Sequence, residues 1–519
     1  MTEIARALDR AIEDLPLLFR GPGGAVAVLR EGAVLARHAW GYADLAGRIP
    51  FSPRTLVPVC SITKQFTCAA LLEEVGDPAA LDAALAARLA LLHEPPPRIV
   101  DLCHNQSGLR DYWALTVLCG ATPEGAFRPA DAAALIGGTR SLHFPPGTQY
   151  SYSNGNFRLL SDLIEDRAGR PFGEILRRRV LEPAGMEEAR LNPETGDLPG
   201  EAVGYEGNEA FGYVPAVNRI HWTGDAGLCA SLDDMIAWER FIDATRQDAA
   251  GLYRRLAVAP AFADGRPARY GFGLAHLDSG GVGLTGHGGA LRGWRSQRLH
   301  AAAERLSVVV LFNHAAEARE AALHLMRAAL GQELASAPAA GLDAAWAGAY
   351  HDEATGLLLD LAAAGGGRLS ARFATGADLL RSGPDGTAAS PSMTLRRDGD
   401  IIDMERPGDN LRTRLYRVEG PVRPDIAGRF HAAELGATLT VTDAGGIMHA
   451  AFDGMLGRGP MQPLYPVAAD LWRMPCQRGM DAPAPGDWTV RVARDQGGAV
   501  AGLTFGCWLA RRVRFERMA

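Results

Sequence analysis

Helical periodicity ends near residue 332, and beyond residue 340 the chain holds almost nothing but short strand patterns. Such a division leaves few folds open: the last third must be antiparallel sheet built from hairpins. The stretch "TLRRDGDIIDMER" pivots on Asp398-Gly399, and "NLRTRLYRV" alternates at period two. The same region also echoes itself. "AGAYHDEATGLLLDLAAAGG" begins at Ala347 and "AGRFHAAELGATLTVTDAGG" at Ala427, 80 residues later; Ala-Gly, an aromatic, His, Gly, a leucine and the final Gly-Gly recur in order. Two successive antiparallel barrels of about 80 to 100 residues each account for the echo, because closure removes exposed sheet edges; one large β domain is the alternative.

The earlier part reads differently. "GAVAVLREGAVLARHAWGY" gives two apolar runs around "REG", a hairpin. A helix-rich middle follows from about 60 to 250. Then "RYGFGLAHLDSGGVGLTGHGGALRGWRSQRLHAAAERLSVVVLFNH" predicts several antiparallel strands, and "EAREAALHLMRAAL" a closing helix. Strands from both ends with helices between them predict an α+β unit. The expected division is therefore 1–332 for the α+β unit, 340–418 for one antiparallel β-barrel and 422–519 for the second.

A formal net charge of −7 and scattered arginines give no footprint for nucleic acid or an anionic membrane. The N-terminal "MTEIARALDRAIEDLPLLF" mixes acids into its apolar positions, so it predicts an amphipathic helix rather than a signal peptide or membrane span. Seven widely spaced cysteines without Cys-x-x-Cys or Cys/His spacing predict reduced thiols, a cytoplasmic location, and neither metal nor cofactor.

Lys64, in "CSITKQFTCAAL", is the only lysine in a chain with 53 lysines and arginines. Where arginine serves for every other cation, a retained lysine points to something guanidinium cannot do, and losing a proton is the foremost candidate. Ser61 stands three residues before it. The pattern Ile62, Phe66, Ala69, Ala70 predicts a helix ended at Gly76 to Pro78, which puts Ser61 and Lys64 on one face, a turn apart. A serine at a helix N-terminus also sits in a field that favours developing negative charge. Two further elements suit acyl transfer. "YSYSNGN" presents Tyr152 and Asn154 from a loop, a phenol to donate to a leaving amine and an amide to orient a lysine. "GLTGHGGALRGW" places His287 ahead of Gly288 and Gly289 in a strand, where glycines admit a substrate backbone. Alone, Tyr-x-Asn is an ordinary turn and a single histidine is more often structural.

Taken in order, Ser61-x-x-Lys64, Tyr152-x-Asn154 and His287-x-Gly289 resemble the penicillin-recognising serine hydrolases, which include class C β-lactamases, DD-carboxypeptidases, esterases and peptidases. "NQSGLRDY", "FPPGTQYSYSN" and "GDAGLCASLDDMIAWERF" agree, over roughly the first 330 residues. The resemblance implies a β-lactamase/penicillin-binding-protein-like catalytic unit. His287 departs from the family's usual Lys-Thr-Gly, and a neutral histidine holds a substrate carboxylate less well than lysine does.

The whole chain is similar to the bacterial D-stereospecific aminopeptidases of that superfamily, through "HAWGYADL", "QFTCA", "DLCHNQSGLRDYWAL", "HGGALRGW" and "GCWLAR". That resemblance implies a homodimer that acts on D-amino-acid-containing peptides or amides, with D-alanine or glycine as the released residue. It implies a loop from the last barrel that enters the site, here Cys476 to Trp488, on which Asp481 would bind the substrate ammonium. It also implies backbone N–H groups of Ser61 and Ala290 as the oxyanion donors, with Gly289 beside them in the substrate-binding strand. Lys64 would be the general base of an acyl-enzyme mechanism on Ser61. The rival readings are a β-lactamase or D,D-peptidase, an esterase with no need of a free amine, and a non-enzymatic binding protein.

Overall fold

The computed structural model describes residues 3–332, 341–476, 479–480 and 484–519. An eight-stranded antiparallel sheet organises the first part, in the order Ile49–Pro50, Ala33–Asp44, Gly23–Arg30, Leu306–Phe312, Trp294–Ala301, Val282–Leu291, Leu274–Ser279 and Tyr270–Gly271. The expected hairpin forms, turning at Glu31 and Gly32, and its first strand pairs with Leu306–Phe312. The two ends of this unit thus meet at the sheet centre, with the helices between them in sequence.

Both faces of the central strands are covered, which is why "LSVVVLF" is apolar without alternation. Val26, Val28, Val308 and Val310 pack against Leu8 and Leu15 of the helix Glu3–Leu18 and Leu325 and Met326 of the helix Ala318–Leu330. Ala25, Ala27, Val309 and Leu311 face the opposite way, into a larger core that contains Phe66 of the helix Thr63–Glu74 and Phe157 of the helix Asn154–Ala168. Among the described residues no helix is long and apolar enough to cross a membrane.

After residue 341 the only helical pieces described are short 3₁₀ turns. Eight strands from Gly348–Asp352 to Leu411–Arg417 close into an antiparallel barrel. Among the described residues its core, with Tyr350, Leu359, Leu380 and Leu415, is its own except for Trp508 and the partly buried Leu509, which enter from the last unit. The ten strands between Gly428 and Arg517 curl but do not close: among the described residues the path runs from Gly457–Arg458 at one edge to Tyr465–Ala468 at the other. A sheet edge needs cover rather than closure as such. One edge here lies against the first unit, where the Leu456 N–H donates to the Cys119 carbonyl at 3.1 Å. The core of this half-barrel, including Phe430, Phe452 and Phe515, is continuous with the helical core of the first unit.

Candidate active site

Ser61 lies in a 3₁₀ turn, Cys60–Ile62, that runs directly into the helix Thr63–Glu74. Cys60 has φ 51°, a left-handed conformation that costs a non-glycine residue of order 1 kcal/mol or more and is kept only where the surroundings over-determine it. The Thr63 hydroxyl donates to the Cys60 carbonyl at 2.6 Å, and the Ser296 hydroxyl donates to the Val59 carbonyl at 2.8 Å. The strand Val282–Leu291 presses against this turn at Gly289. A β-carbon there would stand 2.2 Å from the Val59 carbonyl oxygen and 2.9 Å from Cys60 Cβ, so no larger residue fits.

One helical turn on, Lys64 is fully buried. Its Nζ lies 3.0 Å from Ser61 Oγ, 2.8 Å from Asn154 Oδ1 and 2.6 Å from the carbonyl oxygen of Asp225. The Tyr152 ring stands 4.8 Å from the same nitrogen and the Phe157 ring 5.4 Å. Burial pushes the pKa of the Tyr152 phenol well above the ordinary tyrosine value, against a smaller lowering by the neighbouring Ser61. Asn154 is oriented by Asp111, whose Oδ1 accepts both the Asn154 backbone N–H at 2.7 Å and its side-chain amide at 3.1 Å. That turns the amide oxygen toward Lys64. Asp225 is likewise held through its carboxylate, by the Tyr112 hydroxyl at 2.6 Å and the Thr223 N–H at 2.9 Å, which aims its own carbonyl at the lysine.

His287 lies across the cavity, with Nε2 2.9 Å from the Tyr270 hydroxyl and Nδ1 2.5 Å from the Gly288 carbonyl oxygen. Burial pushes its pKa down to about 3, and a protonated Lys64 would push the same way. The cavity measures about 690 Å³, within the usual range for small-ligand sites. All three units line it. Ser61, Tyr152, Asn154, His287, Gly289 and Ala290 come from the first, Arg406 and Asp409 from the closed barrel, and Gly479, Pro485, Trp508 and Leu509 from the half-barrel.

The structure therefore brings Ser61, Lys64, Tyr152, Asn154, His287, Gly289 and Ala290 together. Asp481 lies outside the described residues. Of the segment 476–488, Gly479 accepts a hydrogen bond from Arg292 at 2.6 Å, and Asp487 pairs with Arg372 of the closed barrel at 3.4 Å. Sequence reasoning missed Asp111, Asp225 and Tyr270. The first two stand within stretches it had singled out, "NQSGLRDY" and "GDAGLCASLDD", but a carboxylate that orients an amide and a backbone carbonyl that receives an amine have no motif spacing.

Known proteins share this arrangement in sequence and in shape. Residues 8–333 match the family described as Beta-lactamase, and residues 340–516 match the family described as D-aminopeptidase, domain B. A D-aminopeptidase of Brucella ovis is 52% identical over 511 residues, which cover 98% of each chain. The octameric penicillin-binding protein homologue from Pyrococcus abyssi superposes with a TM-score of 0.53 at 18% identity, over 88% of this chain and 99% of its own. The D-amino acid amidase from Ochrobactrum anthropi SV3, solved with D-phenylalanine, gives a TM-score of 0.52 at 19% identity, over 64% of this chain and 99% of its own. The last two likenesses carry the fold alone. With more than half of its residues shared along nearly the full length of both chains, this protein belongs to the D-aminopeptidase family and bears a β-lactamase-type catalytic unit.

Proposed function

We propose that this protein is a serine aminopeptidase that releases N-terminal D-residues from peptides and amides through an acyl-enzyme on Ser61. The observation that carries this reading is the set of oxygens around Lys64 Nζ. The Asn154 amide oxygen and the Asp225 carbonyl can only accept hydrogen bonds, whereas the Ser61 hydroxyl can donate one. A neutral amine meets this set with two N–H groups toward the carbonyls and its lone pair toward Ser61. Removal of the lysine from water favours that neutral form.

In the proposed reaction Lys64 takes the Ser61 proton as Oγ attacks the amide carbonyl carbon. The backbone N–H groups of Ser61 and Ala290 hold the oxyanion, in a place where such donors are worth roughly 3 kcal/mol each. The C–N bond then breaks as the proton that Lys64 took is relayed through Tyr152 to the departing amine, which leaves the amine of Lys64 neutral and the phenol protonated. A phenol whose pKa is raised by burial stays protonated at neutral pH, so it can relay a proton without resting as a phenolate. The shortened peptide or amine has left by then, and water hydrolyses the ester on Ser61 to free the D-amino acid. His287, neutral in this pH range, offers no cation to a substrate carboxylate, which disfavours the β-lactamase and D,D-peptidase readings. Asp481 supplies the anion for the substrate ammonium, and D-alanine or glycine is the residue released. The units 1–332, 340–418 and 422–519 then act as one catalytic body and two supports, with the segment 476–488 reaching the cavity from the second.

The test compares kcat/KM for D-alanine p-nitroanilide with a free amine, its N-acetylated form, and the L-isomer. A strong preference for the free amine and the D-isomer is expected. Equal or better turnover of the acetylated compound would move the enzyme to the esterases or endo-acting peptidases.

A further inference from the structure

We propose that Tyr270 is a specificity-determining positioning residue: its hydroxyl occupies Nε2 of His287, so that the substrate-binding strand presents neither a cation nor an open ring nitrogen to the substrate. Tyr270 stands in the edge strand Tyr270–Gly271, pairs with Ala275, and lines the same cavity as Ser61. It is buried, with its ring 5.5 Å from the His287 ring in an edge-on arrangement and 5.6 Å from that of Tyr150.

The tautomer follows from donor and acceptor roles. The Gly288 carbonyl can only accept, so the nitrogen 2.5 Å from it, Nδ1, carries hydrogen. In a neutral ring Nε2 then holds a lone pair, and the Tyr270 hydroxyl 2.9 Å away donates to it. With both ring nitrogens engaged, His287 shows the cavity an aromatic face. Protonation would force Tyr270 to turn its hydroxyl and would set an imidazolium beside the Lys64 amine. The charged and titratable groups around this ring are Lys64 from its helix, Tyr152 and Tyr150 from the loop before Asn154, and Tyr270 with the neighbouring thiols of Cys68 and Cys103. On the next strand Arg298, the register partner of His287, is paired with Glu239. Burial opposes the imidazolium, and so would Lys64 whenever it is protonated. An imidazolium at this place would attract carboxylate-bearing ligands and repel a substrate ammonium. Tyr270 therefore helps to reserve the site for substrates without a carboxylate near the scissile bond.

This inference rests on the hydrolase reading of the cavity, but its first readout does not. In isotope-labelled wild-type protein, long-range proton–nitrogen spectra of histidine should show His287 with a protonated Nδ1 and a hydrogen-bonded, unprotonated Nε2. An Nε2–H tautomer, or a ring charged near neutral pH, overturns the proposal even if no substrate is turned over. In Tyr270→Phe the Nε2 signal should move to the range of an open nitrogen, and the ring should titrate about three pH units higher, near the ordinary histidine value. At about pH 5.5 this variant should lose about tenfold in kcat/KM for D-alanine p-nitroanilide while its acylation by benzylpenicillin, which carries a carboxylate, rises about tenfold. Near pH 8 both should lie within about threefold of wild type. A loss of the same size at both pH values and on both ligands, with unchanged nitrogen signals, would mean that Tyr270 only packs the site, and would also overturn it.

Discussion

The two β units start from the same local device and end in different architectures. In each, a glycine with φ near 150° opens the first strand: Gly348 at 147° and Gly428 at 152°, a conformation open almost only to glycine. In each, an arginine of the last strand fills the space a β-carbon would take. Arg417 stacks on Tyr350 at 4.9 Å and Arg517 on Phe430 at 5.5 Å. Each guanidinium also donates to the carbonyl of the alanine before its glycine, Ala347 or Ala427, at 3.1 Å. Yet the first unit closes around a core of its own, while the second stays open and shares its core with the catalytic helices. A repeated sequence specifies the latch between first and last strands; what covers the remaining edge decides whether the sheet closes. The open unit is consequently the one whose core is shared with the site's scaffold. Its Leu509 carbonyl receives the Asp111 N–H at 2.9 Å, and Asp111 orients Asn154.

Acid should separate the two units most widely. Burial lowers His287 to about 3, and His104, His300 and His314 to about 4, all in the catalytic unit. These rings are neutral in the folded protein, whereas an unfolded chain protonates them below about pH 6.5. Their contribution is therefore complete above that pH and is lost as pH falls toward the folded values, at roughly 1.4 kcal/mol per histidine per pH unit. Hydrogen exchange across a pH series should show the catalytic unit and the half-barrel opening together below about pH 5, ahead of the closed barrel. Simultaneous opening of all three would break the distinction between shared and separate cores.

Trp508 sharpens the same contrast. It belongs to the half-barrel, fills the core of the closed barrel beside Phe373, and lies between the guanidinium groups of Arg511 at 4.0 Å and Arg406 at 5.1 Å. Trp508→Ala should cost about 3 to 5 kcal/mol in denaturant unfolding and reduce kcat/KM, because the cavity wall goes with it. Gly428→Ala and Gly348→Ala form a matched pair, each expected to cost about 1 to 3 kcal/mol. The first should lower activity along with stability; the second should loosen mainly residues 341–417 and lower activity less, through Arg406 and Asp409 of the cavity wall. The smallest effect, about 0.5 to 1 kcal/mol, is expected for Arg417→Met beside Arg517→Met, measured as paired melting curves.

Much of this architecture was legible in the residues. Ser61 and Lys64 face one another because three residues make nearly a helical turn, and the strands around His287 betray themselves by glycine and by apolar runs. Tyr152 and Asn154 were also legible, since their loop has an extended stretch leading into a helix. The rest depended on encounters between distant segments. Tyr270 is 17 residues from His287, and the Asp225 carbonyl is 161 from Lys64, with no periodicity that could join them. The 80-residue echo predicted two barrels, but the opening of the second reflects packing against Cys119 and Gly120, which no repeat within the sheet encodes.

The central claim is that Ser61 is activated by an amine that can lose its proton. Lys64→Arg tests it most directly, because arginine keeps a cation at this place and cannot act as a base. Steady-state kinetics with D-alanine p-nitroanilide, beside a melting curve to confirm the fold, should show kcat/KM reduced about a thousandfold. A folded variant that retains activity within about tenfold of wild type would contradict the account.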